Sequence, residues 1–346
     1  MDNRLTPLTN VFSSDNVHLS LPNSVEVEEQ MRLANREDFC NQLQSVAHLS
    51  EGHRLVFEFV VAALADNTRL AYRGDLADFM AWGGEVPCTP EQLATYIACR
   101  SKIHSVYTIA RRVIGISRAH TSQGIADPAK NDLVRAVLRG MRRKNGTPQR
   151  QSVPLLKSDI ISILPLMFGA KGIRDRALVL LGFAAALRRS ELVALDVSDI
   201  QFVKEGLILH IRRGKTDQVS KGRKIAVPYG RTCACPVRAV EHWLTLAKLV
   251  DGPLFRRVTK GSKIGAVRLT AQSVALIVKG YAAAIGLNAA SISGHSLRAG
   301  LVTSAAMAGV PIWKIKAQSG HASDTMVSRY VRDASLFDGN AAGAVL

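Results

Sequence analysis

Acidic residues are scarce in this chain. Its 346 residues hold 28 Asp+Glu against 45 Lys+Arg, a formal net charge of +17 and a pI near 10.0. That imbalance excludes an acidic solvating chain and implies a polyanionic partner, either nucleic acid or an anionic membrane surface. Cysteine is sparse and odd in number, five in all. This excludes a disulfide framework and fits a reducing compartment. Long apolar runs are missing too: the longest, Ala177–Leu187, has 11 residues, where a bilayer-spanning helix needs about 20. The first residues, MDNRLTPL, have neither the basic start nor the apolar stretch of a secretory signal. There is no basic amphipathic helix with bulky apolar residues opposite, as a membrane-surface protein needs, so nucleic acid is the preferred partner. Repeats and low-complexity segments are also missing. What is present is enough hydrophobic sequence for a packed core, 47%, in a chain long enough for two domains. A soluble, cytoplasmic protein is expected.

The charge is unevenly spread. Residues 1–53 carry 3 Lys+Arg and 8 Asp+Glu, net −5; residues 54–153 are net +7, and residues 154–346 net +15. The sequence therefore predicts an acidic, partly disordered leader over 1–53 and two basic domains that share one polyanion. Residues 54–143 read as all-helical. Tyr72, Leu76, Phe79 and Met80 recur on one helix face. Thr89-Pro90-Glu91-Gln92 is a helix start, with Thr89 as N-cap, Pro90 in the first turn and Gln92 closing a capping box. Helices are expected over Ser105–His120, carrying Arg111, Arg112 and Arg118, and over Asn131–Arg143, carrying Arg135, Arg139, Arg142 and Arg143. Arg111, Arg112, Arg139, Arg142 and Arg143 are the candidate DNA-binding residues of this domain. Lys144–Val153 is polar and aperiodic, an interdomain linker.

After the linker, Ile173–Leu195 reads as one apolar helix. The period then changes to two short β-type runs, Leu207–Ile211 and Lys224–Val227, joined by a basic loop, Arg212–Arg223. From Thr270 to about Ala334 the pattern is helical again. The expected fold is mainly α: a helical N-terminal domain and an α+β C-terminal domain with a small antiparallel sheet.

Five signals follow in order through the second domain. They are Leu187-Arg188-Arg189-Ser190-Glu191-Leu192, then Lys215 between the two strands, Gly294-His295-Ser296-Leu297-Arg298, Ser319-Gly320-His321, and Tyr330. Singly, each has an ordinary explanation: a surface ion pair, a solvated lysine, a helix cap, a packing tyrosine. As an ordered set they resemble the catalytic domain of the tyrosine recombinases, the phage integrase family. That family places an Arg in a Leu-Arg-x-Ser-Glu-Leu-like helix, a Lys in a β-hairpin, His-x-x-Arg, a His or Trp, and a nucleophilic Tyr. Asn67-Thr68-Arg69-Leu70-Ala71-Tyr72 similarly resembles the family's core-binding, SAM-like domain, so the likeness covers roughly residues 55–340. Chain length and the Gly-His-Ser-x-Arg wording are closest to Cre-like members. The family's position after the first Arg is commonly apolar, whereas here it is Arg189. A register with Arg189 catalytic would leave Glu191 two residues away on the wrong helix face, so Arg188 is the match.

The resemblance implies a site-specific DNA recombinase that clamps duplex DNA at inverted repeats and exchanges strands in a homo-tetramer, two protomers active at a time. Leu336 and Phe337 would anchor the C-terminal segment on a neighbour. Phosphodiester transfer builds negative charge on non-bridging oxygens, which the forked guanidiniums of Arg188 and Arg298 suit. His321 would donate to the same phosphate, His295 would accept or orient the Tyr330 proton, and Lys215 would protonate the departing 5′-oxygen. Lys221 and Lys224 are the next candidates for that acid. Glu191 would orient Arg188. A phosphotyrosine keeps the bond energy, so no metal, nucleotide or other cofactor is expected. Two alternatives stay open: type IB topoisomerase-like relaxation and a catalytically inactive DNA-binding regulator of the same fold. Cys233-Ala234-Cys235 finds no second ligand pair for zinc beyond His242. Walker-type loops and nucleophile elbows are absent, and no carboxylate cluster resembles a two-metal nuclease. The basic run Arg256–Lys263 reads as a solvated loop, with phosphate contact as the alternative.

Overall fold

The computed structural model describes residues 66–146, 152–212 and 222–334. The acidic leader, part of the linker, Lys215, Lys221, Leu336 and Phe337 lie outside the described residues. Two compact units divide the chain between Gln149 and Arg150.

The first unit is helical: α1 (Asp66–Ala81), α2 (Pro90–Arg100), α3 (Val106–Ser122) and α4 (Asp132–Asn145). Each start after α1 is set by a side-chain cap that satisfies a first-turn N–H. Thr89 Oγ1 accepts from Gln92 N, Ser105 Oγ from Thr108 N and Asn131 Oδ1 from Leu133 N. α1 packs on α3 and α2 on α4, around Phe79, Leu93, Tyr96, Ile97, Ile109, Val113, Ile116 and Val134. The buried face of α1 differs from the expected one. Met80 is exposed, and Asp75 is 1% exposed in its place. A carboxylate is tolerated there because arginines reach it: Arg111 Nη2 lies 2.8 Å and Arg112 Nε 3.8 Å from Asp75 Oδ1, while Arg112 Nη1 pairs with the neighbouring Asp78 Oδ2 at 2.7 Å. Buried charges of this kind persist only when paired.

The second unit opens with α5 (Lys157–Ile163) and α6 (Gly169–Ala184), followed by the short α7 (Arg189–Ala194). The antiparallel sheet β1 (Ile200–Val203), β2 (Gly206–Ile211), β3 (Arg223–Pro228) runs in the order β1-β2-β3. Its register pairs Leu207 with Val227 and Leu209 with Ile225, so the pleat sends their side chains into one core. Then come α8 (Pro236–Ala247), the hairpin β4 (Arg256–Val258) and β5 (Ile264–Arg268), α9 (Ala271–Ala284), α10 (Ser296–Met307), α11 (Ile312–Ser319) and α12 (Asp324–Ala334). α6 is central, buried against α8 and α10. Among the described residues no helix is long and apolar enough to cross a membrane.

Two expectations for this unit need correction. Arg256–Lys263 is a solvated loop only in its second part: Arg256–Val258 form strand β4, paired across to β5, and the exposed turn is confined to Thr259–Lys263. Arg256 is spent on backbone, Nε donating to Pro253 O and Nη2 to Asp251 O. Nor is Ile173–Leu195 one helix. α6 stops at Ala184, and Ala186 takes a left-handed φ of 49°.

A helix glycine normally weakens the helix by about 1 kcal/mol relative to alanine, so replacing it should stabilise. Gly300 in α10 reverses that sign. A Cβ there would stand 1.7 Å from Leu155 O, so α10 must move off the segment before α5. Gly300→Ala is expected to lower stability by ~1–3 kcal/mol, read as an earlier urea midpoint with an unchanged slope.

Candidate active site

The end of α6 builds the first part of the site. Leu187 N donates to Gly182 O and Ala186 N to Phe183 O, a Schellman closure with alanine where glycine is usual. The turn leaves Arg188 as the N-cap of α7. Glu191, 4% exposed, then serves both ends of that residue. Its Oε2 accepts from Arg188 N at 3.0 Å and its Oε1 from Arg188 Nη1 at 2.6 Å. Its Oε2 also pairs with Arg223 Nη2 at 3.2 Å. One carboxylate therefore holds two guanidiniums.

Arg298 enters from the first turn of α10 and is 5% exposed. Its Nη1 donates to Ala186 O at 2.9 Å and to Ser319 O, which ties α10 to the left-handed turn and to the end of α11. Its Nη2 is buried and makes no hydrogen bond among the described residues. Burial, with Arg188 and Arg223 nearby, brings its pKa down to about 10. His295 is the N-cap of α10, its backbone N–H donating to Ser293 Oγ at 3.0 Å.

The third part is the turn after α11. Gly320 is left-handed, φ 65°, and swings His321 back under the arginines. Ser319 Oγ donates to Ile315 O at 2.7 Å and lies 2.7 Å from His321 Nδ1. A serine has one proton to give, so Nδ1 must carry the hydrogen and donate to Ser319 Oγ. Nε2 is then the open lone pair. Burial first, then the charges of Arg298, Arg188, Arg223 and His295, push His321 down to about 4. The imidazole is neutral at physiological pH. Tyr330 on α12 packs partly buried against Val302, Ile315 and Val327. Its ring centroid is 6.1 Å from that of His321, and it lies within electrostatic reach of Arg298.

The sequence-nominated Arg188, Glu191, Arg298, His321 and Tyr330 therefore meet in one pocket, with His295 in its field. Lys215 lies outside the described residues. Lys224, the next candidate acid, is exposed and alternates with Arg223, Ile225 and Val227, so it stands on the other face of β3. Arg223 was missed. The same alternation could have found it, since its period-2 partners Ile225 and Val227 are apolar. In the first unit, Arg112 drops out as a DNA contact: it is 9% exposed and committed to Asp78 and Asp75. Arg111 is half-exposed yet bound to Asp75. Arg139, Arg142 and Arg143 are exposed on α4, away from its buried Val134 and Met141.

Among the described residues the pocket has three guanidiniums against one carboxylate, beside a neutral imidazole and a phenol. Such an excess of buried positive charge suits a tetrahedral oxyanion.

The His321 shift has a pH consequence. Its folded pKa lies below the unfolded value near 6.5, so the unfolded chain takes the proton first. Stability is full above pH 6.5 and falls as pH drops toward about 4, where the folded form protonates too. The loss is on the order of 1–3 kcal/mol. His321→Gln should flatten this part of the profile. In imidazole NMR, the wild-type His321 resonance should stay neutral through pH 5; an ordinary titration near 6.5 would contradict the burial argument.

The chain's similarities agree with this geometry. Residues 155–336 match the phage integrase family. An integrase/recombinase XerD homolog of Selenomonas ruminantium is 38% identical over 288 residues, 80% of this chain and 84% of the relative. A tyrosine recombinase XerC of Herpetosiphon aurantiacus is 28% identical over 80% of this chain and 88% of its own. Among solved structures, the post-cleavage complex of the XerH site-specific recombinase with palindromic difH substrate superposes with a TM-score of 0.60. It is 14% identical and covers 93% of this chain and 96% of that one. A lambda integrase dimer bound to a COC′ core site gives 0.56 at 18% identity, over 80% and 93%. At those identities the structures speak to the fold. With the family match and the 38% relative, the conclusion is direct: this chain belongs to the phage integrase family of tyrosine recombinases, DNA strand transferases that act in site-specific recombination.

Proposed function

We propose that the chain recombines duplex DNA at inverted-repeat sites through a 3′-phosphotyrosine on Tyr330, within a tetrameric synapse. The observation that carries the reading is the buried Nη2 of Arg298, which has no partner among the described residues, in a pocket whose described guanidiniums outnumber its carboxylates. Uncompensated donors buried together cost free energy unless an anion takes them up. The scissile phosphate is that anion. Supporting DNA as the partner, XerH, lambda integrase and the Tn1549 transposon integrase are all solved with DNA, and α4 offers Arg139, Arg142 and Arg143 to a backbone.

In the proposed cycle Arg188 and Arg298 hold the non-bridging oxygens as charge builds on them. The Tyr330 oxygen attacks phosphorus while its proton passes to His295. The bond from phosphorus to the 5′-oxygen breaks, and Lys215 supplies the proton to that oxygen. The phosphate's charge offsets the cationic field on His321, which can then gain a proton and donate to the same phosphate. The freed 5′-hydroxyl of a partner strand reverses the steps, so energy is conserved with no added nucleotide. Glu191 acts through Arg188, fixing its fork. A monomeric relaxation enzyme of topoisomerase type is less favoured, because the relatives that cover most of this chain are recombinases.

The test uses duplexes recovered by binding selection from randomised DNA. Wild type should yield strand-exchange products and four-way junctions in excess EDTA without nucleotide. Tyr330→Phe should bind those duplexes normally and exchange nothing; exchange by that variant would remove the proposal. For Lys215, replacing the bridging 5′-oxygen with sulfur gives a leaving group that needs no proton. Lys215→Ala should lose ~10²–10⁴-fold in cleavage on ordinary DNA and recover on the sulfur strand, whereas Arg188→Ala should not recover. Equal loss on both strands would make Lys215 a positioning residue.

A further inference from the structure

Arg223 is the third guanidinium of the pocket, and packing alone does not account for it. It opens β3 on the same pleat as the buried Ile225 and Val227, opposite Ile211. Its side chain is three-quarters buried, 25% exposed. Only its Nη2 finds an acid, and that acid is shared. Glu191 Oε2 already accepts from Arg188 N, and Oε1 is taken by Arg188 Nη1. Arg223 Nη1 is buried with no acceptor among the described residues. Burial first, and then the nearby Arg188, lower its proton affinity. A guanidinium kept for packing would have its donors met or its charge matched. Here Nη2 shares a carboxylate that Arg188 already occupies, and Nη1 has no acceptor among the described residues.

Its position is also enforced from the other side. A Cβ at Gly320 would stand 2.0 Å from Arg223 Nη1, so the guanidinium lies flat on the turn that carries His321. Gly320 is held to glycine twice over, by its left-handed φ of 65° and by this contact. Arg223 therefore touches the His321 turn and the Glu191 carboxylate at once, and its charge reaches both Arg298 and His321.

We infer that Arg223 is a further catalytic residue, its Nη1 donating to a non-bridging oxygen of the scissile phosphate beside Arg188 and Arg298, with Glu191 anchoring both Arg188 and Arg223. The inference rests on the strand-transfer reading above. Its mechanism is distinct from that of a lysine acid. Arg223 neutralises charge on oxygens that stay on phosphorus, so it contributes to cleavage and rejoining alike.

The test replaces one non-bridging oxygen by methyl. A methylphosphonate at the scissile position carries no negative charge and needs one cation fewer. Nicked duplexes with a binding-selected site are made with ordinary phosphate and with each methylphosphonate diastereomer, and covalent adduct formation is timed. Arg223→Ala should be slower than wild type by ~10²-fold on phosphate. On one diastereomer the deficit should shrink by at least tenfold, while DNA affinity and thermal melting stay those of wild type. Arg223→Lys, which keeps the charge and loses the fork, should fall between; it also serves if the alanine variant does not fold. An undiminished deficit on both diastereomers, or no deficit on phosphate, overturns the inference while leaving strand transfer by Tyr330 intact. If wild type itself forms no adduct on ordinary phosphate, the strand-transfer reading fails, and that outcome is separately visible.

Discussion

The Glu191 carboxylate carries the arrangement of the site. Two oxygens, 2% exposed at the side chain, receive the N-cap amide of α7 and the guanidiniums of Arg188 and Arg223. Two of those donors, an amide and a guanidinium, belong to Arg188 at the turn, and the third comes from the sheet. Remove the carboxylate and the two arginines repel one another in a poorly solvated space. Its single negative charge also explains why the pocket keeps a net positive charge. It organises the cations without neutralising them.

The rest of the catalytic unit can be understood as what is needed to bring cations to that carboxylate. α6 has to stop early so that Arg188 becomes a cap, and Ala186 accepts a left-handed backbone to do so. That conformation costs an alanine about 1–2 kcal/mol, and the turn exposes Ala186 O. Arg298 closes the account by donating to that carbonyl and to Ser319 O. The same guanidinium thereby joins α6, α10 and α11 and leaves its other nitrogen facing the pocket. Ser319 in turn fixes the tautomer of His321 through Ile315 O. Structure and chemistry share the same hydrogen bonds, so the site is assembled by the fold rather than added to it.

Much of this was legible in the sequence where the signal is local. Thr89-Pro90 announced a cap. His295 and Arg298 sit three apart, which a helix start places on one face, and the alternating runs at 207–211 and 224–227 announced a hairpin. The misses are equally physical. The end of α6 had no glycine to mark it, because alanine fills the left-handed position. β4 is three residues long, too short for its alternation to stand out. Arg112 looked like a surface cation because nothing local shows that Asp75 and Asp78, over thirty positions away, will bury it. Arg223 looked like one more basic residue of a loop until the pleat placed it beside Ile225. Long-range pairing is what a single sequence hides.

The central claim is that the excess positive charge around Glu191 exists to hold a phosphate while Tyr330 takes it over. Mass spectrometry of the covalent complex, after nuclease and protease digestion, tests this most directly. One nucleotide-bearing peptide is expected, with the nucleotide's 3′-phosphate esterified to Tyr330. A linkage to another residue, or to a 5′-phosphate, would contradict it.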